Sequence, residues 1–194
     1  MSLESKLQRQ PHYRSMYVEF MREYERLGHM TRVEDYPMPC YFLPHHGVFR
    51  EHSTTTKLRV VFNASQKTSS GKSLNDIQWT GPPLQNDLFV ILLKFRQYQY
   101  VACADIEKMF RQISLHEDQR MLQLILWREN MSDPLNVYRL NTVTYGTASA
   151  PYLSIRCVRQ LALDCSDTEI SRIILENMYV DDLLMGDDNK SHLS

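Results

Sequence analysis

Apolar side chains recur with helical spacing in three stretches of this chain. Residues 12–27 carry apolar or aromatic side chains three or four positions apart, the pattern of an amphipathic helix, and Gly28 is a typical helix end. A second such pattern, at 84–95, follows Gly81-Pro82-Pro83, and a third, at 153–164, follows a run of small residues. The sequence therefore predicts three helices, each with one face in a core.

Strand patterns separate these helices. A polar, Thr-rich connection, residues 51–56, joins two segments of strand composition and predicts a β-hairpin that ends at Phe62. Arg50 and Arg59 would then lie on facing strands, either as a solvated basic hairpin or as a clamp for a triphosphate, to which guanidinium groups bind bidentately. Further strands are predicted at 100–106, 122–127 and 136–143.

Two adjacent acids, Asp181 and Asp182, interrupt an apolar run near the C-terminal end. Successive side chains of a strand point to opposite faces, so a turn between two short strands suits both acids better than mid-strand positions. Residues 173–175 would lead into this hairpin, residues 183–185 would lead out of it, and both acids would lie at its tip. Close carboxylates repel each other unless they are protonated or share a cation, and Mg²⁺ is the usual hard cation. The near-continuous apolar run 100–106 is typical of a central strand and supplies a third carboxylate, Asp105. An ordinary acidic turn is the alternative interpretation of the pair alone.

The composition is that of a globular protein with an uneven charge distribution. The chain has 194 residues, of which 43% are hydrophobic, enough for one domain or for one divided into two lobes. The net charge is −1, but residues 1–100 contain 13 Lys and Arg against 9 Asp and Glu, a net +4, whereas residues 101–194 contain 9 against 14, a net −5. A basic half that meets phosphates and an acidic half that holds cations fit a phosphoryl-transfer enzyme.

Several other classes of protein are disfavoured. No apolar run approaches the about 20 residues of a membrane-spanning helix, and residues 1–6 are not those of a signal peptide. The four cysteines are scattered without a C-x-x-C pair, which is typical of reduced thiols in an intracellular protein. One cysteine and three histidines between positions 40 and 52 match no familiar zinc-ligand spacing. We therefore expect no membrane segment, disulfide or zinc site.

Three features occur in order along the chain: a strand ending in Asp105, the small-residue loop 144–151 that opens a helix, and the hairpin with Asp181 and Asp182. In this combination the chain resembles a reverse transcriptase. The closer resemblance is to the reverse transcriptases of BEL/Pao-type LTR retrotransposons, and it covers nearly the whole chain. Four stretches carry it: LPHHGV at 43–48, LRVVFNAS at 58–65, TVTYG at 142–146 and YVDDLL at 179–184.

The resemblance implies an α+β fold, the fingers and palm of a right-hand polymerase, with an antiparallel palm sheet packed on helices. It implies an N-terminal helical segment, fingers and an incomplete palm. The corresponding ranges are 1–30 for the helical segment, 31–98 and 117–143 for the fingers, and 99–116 and 144–194 for the palm. Because the sequence stops twelve residues after Asp182, we expect the thumb to be missing and the fragment itself to have little polymerase activity.

The resemblance also implies the site residues. Asp105, Asp181 and Asp182 would be catalytic. Asp105 and Asp181 would bind two Mg²⁺ ions, for which Mn²⁺ could substitute, with the Ile106 carbonyl as an extra ligand and Asp182 as a secondary ligand or a residue that shapes the hairpin. The implied nucleotide-binding residues are Arg50, Arg59, Ile106, Phe110, Tyr145 and Gly146. Phe110, five residues after Asp105, matches the bulky side chain that excludes a ribose 2′-hydroxyl, whereas Tyr145 replaces the usual retroviral Gln.

The implied function is that of an RNA-directed DNA polymerase, a nucleotidyltransferase that adds dNTPs to a primer 3′-hydroxyl on an RNA or DNA template. Its other partners would be the remaining polyprotein domains, namely thumb, RNase H, protease and integrase, without a membrane. It would act in the cytoplasm, including in virus-like particles. Two alternatives stay open. One is a catalytically inactive remnant that keeps the fold and nucleic-acid binding, and the other is an RNA-directed RNA polymerase, against which the bulky Phe110 argues.

Overall fold

The computed structural model describes residues 2–49 and 57–193. The described α-helices are α1 (Leu3–Arg9), α2 (Pro11–Arg26), α3 (Leu74–Ile77), α4 (Leu88–Phe95), α5 (Glu117–Arg120), α6 (Ala150–Asp164) and α7 (Thr168–Asn177). The described strands are β1 (Met30–Val33), β2 (His45–Phe49), β3 (Leu58–Phe62), β4 (Tyr100–Asp105), β5 (Leu124–Trp127), β6 (Asn136–Leu140), β7 (Met178–Tyr179) and β8 (Asp182–Asp187). Short 3₁₀ helices cover Met109–Gln112 and Lys190–Leu193.

The chain divides into two compact units. The first unit comprises Met1–Trp79 and Ser114–Ala148, and the second comprises Thr80–Ile113 and Ser149–Ser194. Each sheet lies within one unit, and its strands pair in antiparallel fashion. The fold is therefore mixed α+β, as predicted. The described helices include none with the length and apolar character needed to cross a membrane.

The predicted N-terminal helix is α2, and it fills the core of the first unit. Four of its side chains are fully buried: Tyr13, Tyr17, Met21 and Tyr24. Gly28 follows the helix with a φ of +74°, the left-handed conformation expected of a residue that ends a helix. Against this helix lie strands of the sheet β1-β6-β5 and of the hairpin β2–β3. The spacing of apolar residues predicted the buried face of this helix correctly, except for Leu27 at its end, which is 41% exposed.

The hairpin β2–β3 carries one of the two arginines expected to contact phosphate. Arg59 lies on β3, is exposed, and has Val48 of β2 as its register partner. Arg50 lies outside the described residues, so its predicted place on the facing strand stays a prediction.

The sheet of the second unit has the strand order β4-β8-β7. The predicted hairpin forms as β7–β8, but two details of the prediction are wrong: residues 173–175 belong to α7 rather than to the first strand, and Asp182 is the first residue of β8 rather than part of the turn. The prediction of a central strand at 100–106 is wrong, because β4 lies at the edge of the sheet and five of its six residues are exposed. The centre is β8, which pairs with β4 on one side and with β7 on the other. An apolar run shows that a segment suits a strand, but its place in the sheet depends on pairing with distant residues.

Helix α4 begins later than its apolar pattern predicts. The carboxylate of Asp87 caps the helix by accepting a hydrogen bond from the Phe89 N–H at 2.7 Å, so residues 84–87 precede the helix. Of the eight helical residues only Ile91 is buried, and Phe89 is 67% exposed. The pattern predicted the helix correctly, but the burial of a whole face is not found.

Candidate metal site

The register of β4 and β8 places two carboxylates opposite each other. Asp105 is the last residue of β4, Asp182 is the first residue of β8, and the two are paired across the strands. Side chains of such a pair lie on the same face of the sheet, with Cβ atoms about 4.5–5.5 Å apart. Both residues are exposed. Two acids that are far apart in the sequence are therefore neighbours at one end of this sheet.

Asp181 lies in the two-residue turn that joins β7 to β8. Tyr179 and Asp182 form the last pair of the hairpin, which leaves Val180 and Asp181 as the turn. The Ile106 N–H donates a hydrogen bond to the Asp181 carbonyl oxygen at 2.9 Å, and this fixes Asp181 beside the end of β4. The structure thus places all three predicted acids at one end of the sheet, and the residue opposite Asp105 is Asp182 rather than Asp181.

The turn is held in a conformation that its own sequence disfavours. Val180 has a φ of +56°, in the left-handed region that β-branched residues avoid. Such a residue costs about 1–3 kcal/mol and persists when its surroundings determine its conformation. The side-chain oxygen of Gln85 accepts a hydrogen bond from the Val180 N–H at 3.1 Å, and the Ile106 N–H holds the next residue of the turn. Two contacts from outside the hairpin therefore stabilise the turn that carries Asp181.

The chain turns sharply after Asp105. Lys108 has a φ of +52°, and the 3₁₀ helix Met109–Gln112 follows, with Met109 buried and Phe110 half-buried. The Ile106 carbonyl oxygen accepts a hydrogen bond from the Met109 N–H at 3.2 Å. Because a carbonyl oxygen has two lone pairs, it can still bind a cation. The predicted roles of Ile106 and Phe110 stay predictions.

The donor atoms at this end of the sheet fit Mg²⁺. They are carboxylate oxygens from three aspartates and one carbonyl oxygen, the hard ligands that Mg²⁺ prefers. Within residues 2–49 and 57–193, no group of three or more His, Cys, Asp or Glu side chains converges in a geometry that could hold a metal ion. Mg²⁺ is commonly bound through one or two protein carboxylates, with waters and substrate phosphates as its other ligands. The pair Asp105 and Asp182 meets that requirement.

Residues 144–148 of the small-residue loop lie in the first unit and are anchored there. The Tyr145 hydroxyl donates a hydrogen bond to the Val60 carbonyl oxygen at 2.5 Å, so this side chain holds the loop to β3. Gly146 is exposed and has a φ of +102°, and a Cβ atom at this position would lie 2.2 Å from the Phe62 carbonyl oxygen. Glycine is therefore required at the tip of the loop. Nucleotide binding by Tyr145 and Gly146 stays a prediction.

Two polar residues that support these segments were missed by sequence reasoning. Gln85 binds the turn at Val180, and Asn75 binds the loop at Gly146. Asn75 lies between Ser73 and Asp76, whose S-x-x-D pattern is a recognisable helix start but does not indicate the contact with the loop. Nothing in the local sequence of Gln85 marks its role.

No protein-family model matches this chain, and no curated protein is significantly similar to it.

Proposed function

We propose that this chain is the fingers and palm region of an RNA-directed DNA polymerase, a reverse transcriptase of the BEL/Pao retrotransposon type. The observation that carries the proposal is the pairing of Asp105 with Asp182, with Asp181 in the adjoining turn. Phosphoryl transfer that depends on divalent metal ions needs such a cluster of carboxylates at one point. The four ordered sequence stretches support the same family.

Asp105 and Asp182 would hold Mg²⁺ together with waters and substrate phosphates, and Asp181 and the Ile106 carbonyl oxygen beside them would complete a two-ion site when the nucleotide is bound. When bound, the ions supply Lewis acidity that favours deprotonation of the primer 3′-hydroxyl and stabilises the departing pyrophosphate. The contribution of the chain is to bring its carboxylates together before the substrate arrives. The pairing of β4 with β8 does this for Asp105 and Asp182, and the hydrogen bond from the Ile106 N–H to the Asp181 carbonyl oxygen fixes the backbone of Asp181 beside them.

The nucleotide would be selected by its sugar. Phe110 follows Asp105 within one sharp turn of the chain and is part of a 3₁₀ helix whose first residue, Met109, is buried. A half-buried aromatic ring on an anchored backbone cannot easily move aside for an added hydroxyl group. Arg59, with Arg50, would contact the triphosphate, where guanidinium groups neutralise the charge that develops during transfer.

The test is a comparison of deoxyribonucleotide and ribonucleotide binding. Isothermal titration calorimetry would follow the binding of dTTP and of ribothymidine triphosphate to the 194-residue chain in Mg²⁺. The oligo(dT) primer on poly(rA) would end in a 3′-dideoxynucleotide, so that it cannot be extended. We expect the affinity for dTTP to be about tenfold higher or more, because the Phe110 ring would collide with the 2′-hydroxyl of the ribonucleotide. Phe110→Val should reduce the preference, whereas Phe89→Val, at an exposed position of α4, should not.

The alternatives predict other outcomes. An RNA-directed RNA polymerase would prefer the ribonucleotide, and an inactive remnant would bind neither nucleotide in a manner that depends on Mg²⁺. Either result would contradict the proposal. An unchanged preference in Phe110→Val would leave the polymerase assignment standing and show that another side chain selects the sugar.

A further inference from the structure

The side chain of Asn75 connects two distant parts of the first unit. Its Nδ2 donates to the Gly146 carbonyl oxygen at 3.0 Å, and its Oδ1 accepts from the Ala148 N–H at 2.7 Å, across 71 positions of sequence in the first case. The carbonyl can only accept and the N–H can only donate, so both bonds form in one orientation of the amide. One side chain thus holds the loop on both sides of Thr147.

Asn75 is itself fixed by its neighbours. Ser73 and Asp76 form a capping box at the start of α3: the Ser73 hydroxyl accepts from the Asp76 N–H at 3.2 Å, and the Asp76 carboxylate accepts from the Ser73 N–H at 2.9 Å. Leu74 is buried in the core of the unit. The Asn75 N–H donates to the Ala64 carbonyl oxygen at 3.0 Å, and its Nδ2 also donates to the Ser65 hydroxyl at 2.8 Å. The amide is therefore presented to the loop from a rigid support.

The loop combines fixed flanks with an exposed tip. Thr144 and Thr147 are buried, and the Thr147 hydroxyl donates to the Thr144 carbonyl oxygen at 2.8 Å. Gly146 between them is exposed, and because it has no side chain a ligand can approach its backbone closely. Asn75 orients the peptide groups on both sides of Thr147, next to this tip, without being part of the loop.

We propose that Asn75 is a positioning residue for the incoming deoxynucleoside triphosphate. It holds the Gly146 and Ala148 peptide groups in the orientation in which the loop contacts the nucleotide, and it touches no reacting atom. This inference rests on the proposed function, in which the loop binds the nucleotide. A residue that places a binding element affects affinity through small displacements, which are costly where geometry matters.

The experiment compares two asparagines whose Nδ2 groups make the same kinds of hydrogen bond. Asn141 also donates from Nδ2 to a carbonyl oxygen and a hydroxyl, those of Gly28 at 2.9 Å and Thr31 at 2.8 Å, but it does not bind the loop 144–148. Asn75→Asp and Asn141→Asp each place a carboxylate oxygen against a backbone carbonyl. Asn75→Ala removes both loop contacts, and thermal unfolding shows whether each variant remains folded.

The readouts are dTTP affinity, Mn²⁺ affinity and amide exchange of residues 144–148. We expect Asn75→Asp and Asn75→Ala to lower dTTP affinity by about tenfold and to speed exchange at Ala148, with Mn²⁺ affinity unchanged. Asn141→Asp should leave dTTP affinity within about twofold. A general loss of stability would not produce this difference between the two matched variants.

Two results would overturn the inference. One is dTTP affinity in Asn75→Asp within about twofold of the wild-type chain, and the other is an equal loss in Asn75→Asp and Asn141→Asp. Failure of the proposed function is separate and is recognised by the wild-type chain alone. If that chain binds no dTTP in Mg²⁺, both the proposed function and the nucleotide role of Asn75 are wrong. Faster amide exchange at Ala148 in Asn75→Asp would then show that Asn75 only stabilises the structure of the loop.

Discussion

Asp105 and Asp182 face each other across the antiparallel strands β4 and β8. Like charges directly opposite each other destabilise a sheet, whereas a shared cation would reverse the sign of their contribution. In the absence of divalent ions we expect Asp182→Asn to raise the free energy of unfolding by about 0.5 kcal/mol. With Mg²⁺ the order should invert, and the wild-type chain should be the more stable. Urea unfolding with and without Mg²⁺ measures the free energy of unfolding of the wild-type chain and of Asp182→Asn. If Mg²⁺ changes the stability of neither protein, the two carboxylates do not share a cation.

The strain at Val180 should be measurable as stability. Asparagine tolerates the left-handed conformation better than valine, so Val180→Asn should raise the free energy of unfolding by about 1 kcal/mol. Val101→Asn is the control, because Val101 is an exposed residue within the regular strand β4. At Val101 the substitution by asparagine should leave the stability unchanged or lower it, since asparagine is disfavoured in strands. Equal losses in both variants would show that Val180 is not strained.

Substitutions at Gly146 and Gly71 distinguish two reasons for a glycine: a positive φ and a lack of space for a Cβ atom. Both have positive φ, but a Cβ atom at Gly146 would lie 2.2 Å from the Phe62 carbonyl oxygen, whereas at Gly71 it would meet nothing within 4 Å. Gly71→Ala should therefore cost about 1 kcal/mol, from backbone conformation alone. Gly146→Ala should cost about 3 kcal/mol, because a backbone oxygen cannot turn away as a side chain can. Chemical denaturation compares them, and equal losses would contradict the close approach of loop and strand.

His45 should make the stability of the first unit depend on pH. Its half-buried ring has Nε2 3.0 Å from the Leu126 carbonyl oxygen, so Nε2 donates there, and Nδ1 accepts from the Tyr17 hydroxyl at 2.5 Å. Burial lowers the pKa of His45 below its ordinary value. The unfolded chain then binds the proton more readily, so stability is full above about pH 6.5 and falls as the pH drops below it, by at most about 1.4 kcal/mol per pH unit.

The variant His45→Gln isolates this dependence. Glutamine can donate to the Leu126 carbonyl and accept from the Tyr17 hydroxyl, but it does not titrate. Unfolding measured between pH 7 and pH 5 should show a smaller loss in His45→Gln than in the wild-type chain, and His46→Gln, at an exposed position, should keep most of the loss. Parallel pH profiles in all three proteins would contradict a buried neutral histidine.

Features that depend on nearby residues could be predicted from the sequence. The buried face of α2 follows from side chains four positions apart, and the hairpin β7–β8 follows from two acids within an apolar run. The place of β4 could not be predicted, because an edge strand and a central strand of apolar residues differ in pairing partners and not in local pattern. The start of α4 depends on one capping interaction of Asp87 that competes with the apolar spacing.

Within the candidate site, the acids could be predicted but their supports could not. The conformation of Val180 runs against the preference of a β-branched residue, and it is stabilised by Gln85, whose contact lies 95 positions away in the sequence. Asn75 reaches its loop in the same long-range way. The positions of Asp105 and Asp182 in the β4–β8 register are set by the pairing of whole strands. Each of these contacts depends on the tertiary structure.

Binding of Mn²⁺, followed by electron paramagnetic resonance, tests the proposed metal site most directly. Asp187 lies at the other end of β8, about 17 Å along the strand from Asp182, and Asp187→Asn makes the same change of charge there. We predict that the wild-type chain and Asp187→Asn bind Mn²⁺ alike, and that Asp105→Asn, Asp181→Asn and Asp182→Asn each weaken binding by about tenfold or more. Equal affinity in all five proteins, or no binding by the wild-type chain, would contradict a metal site at this end of the sheet.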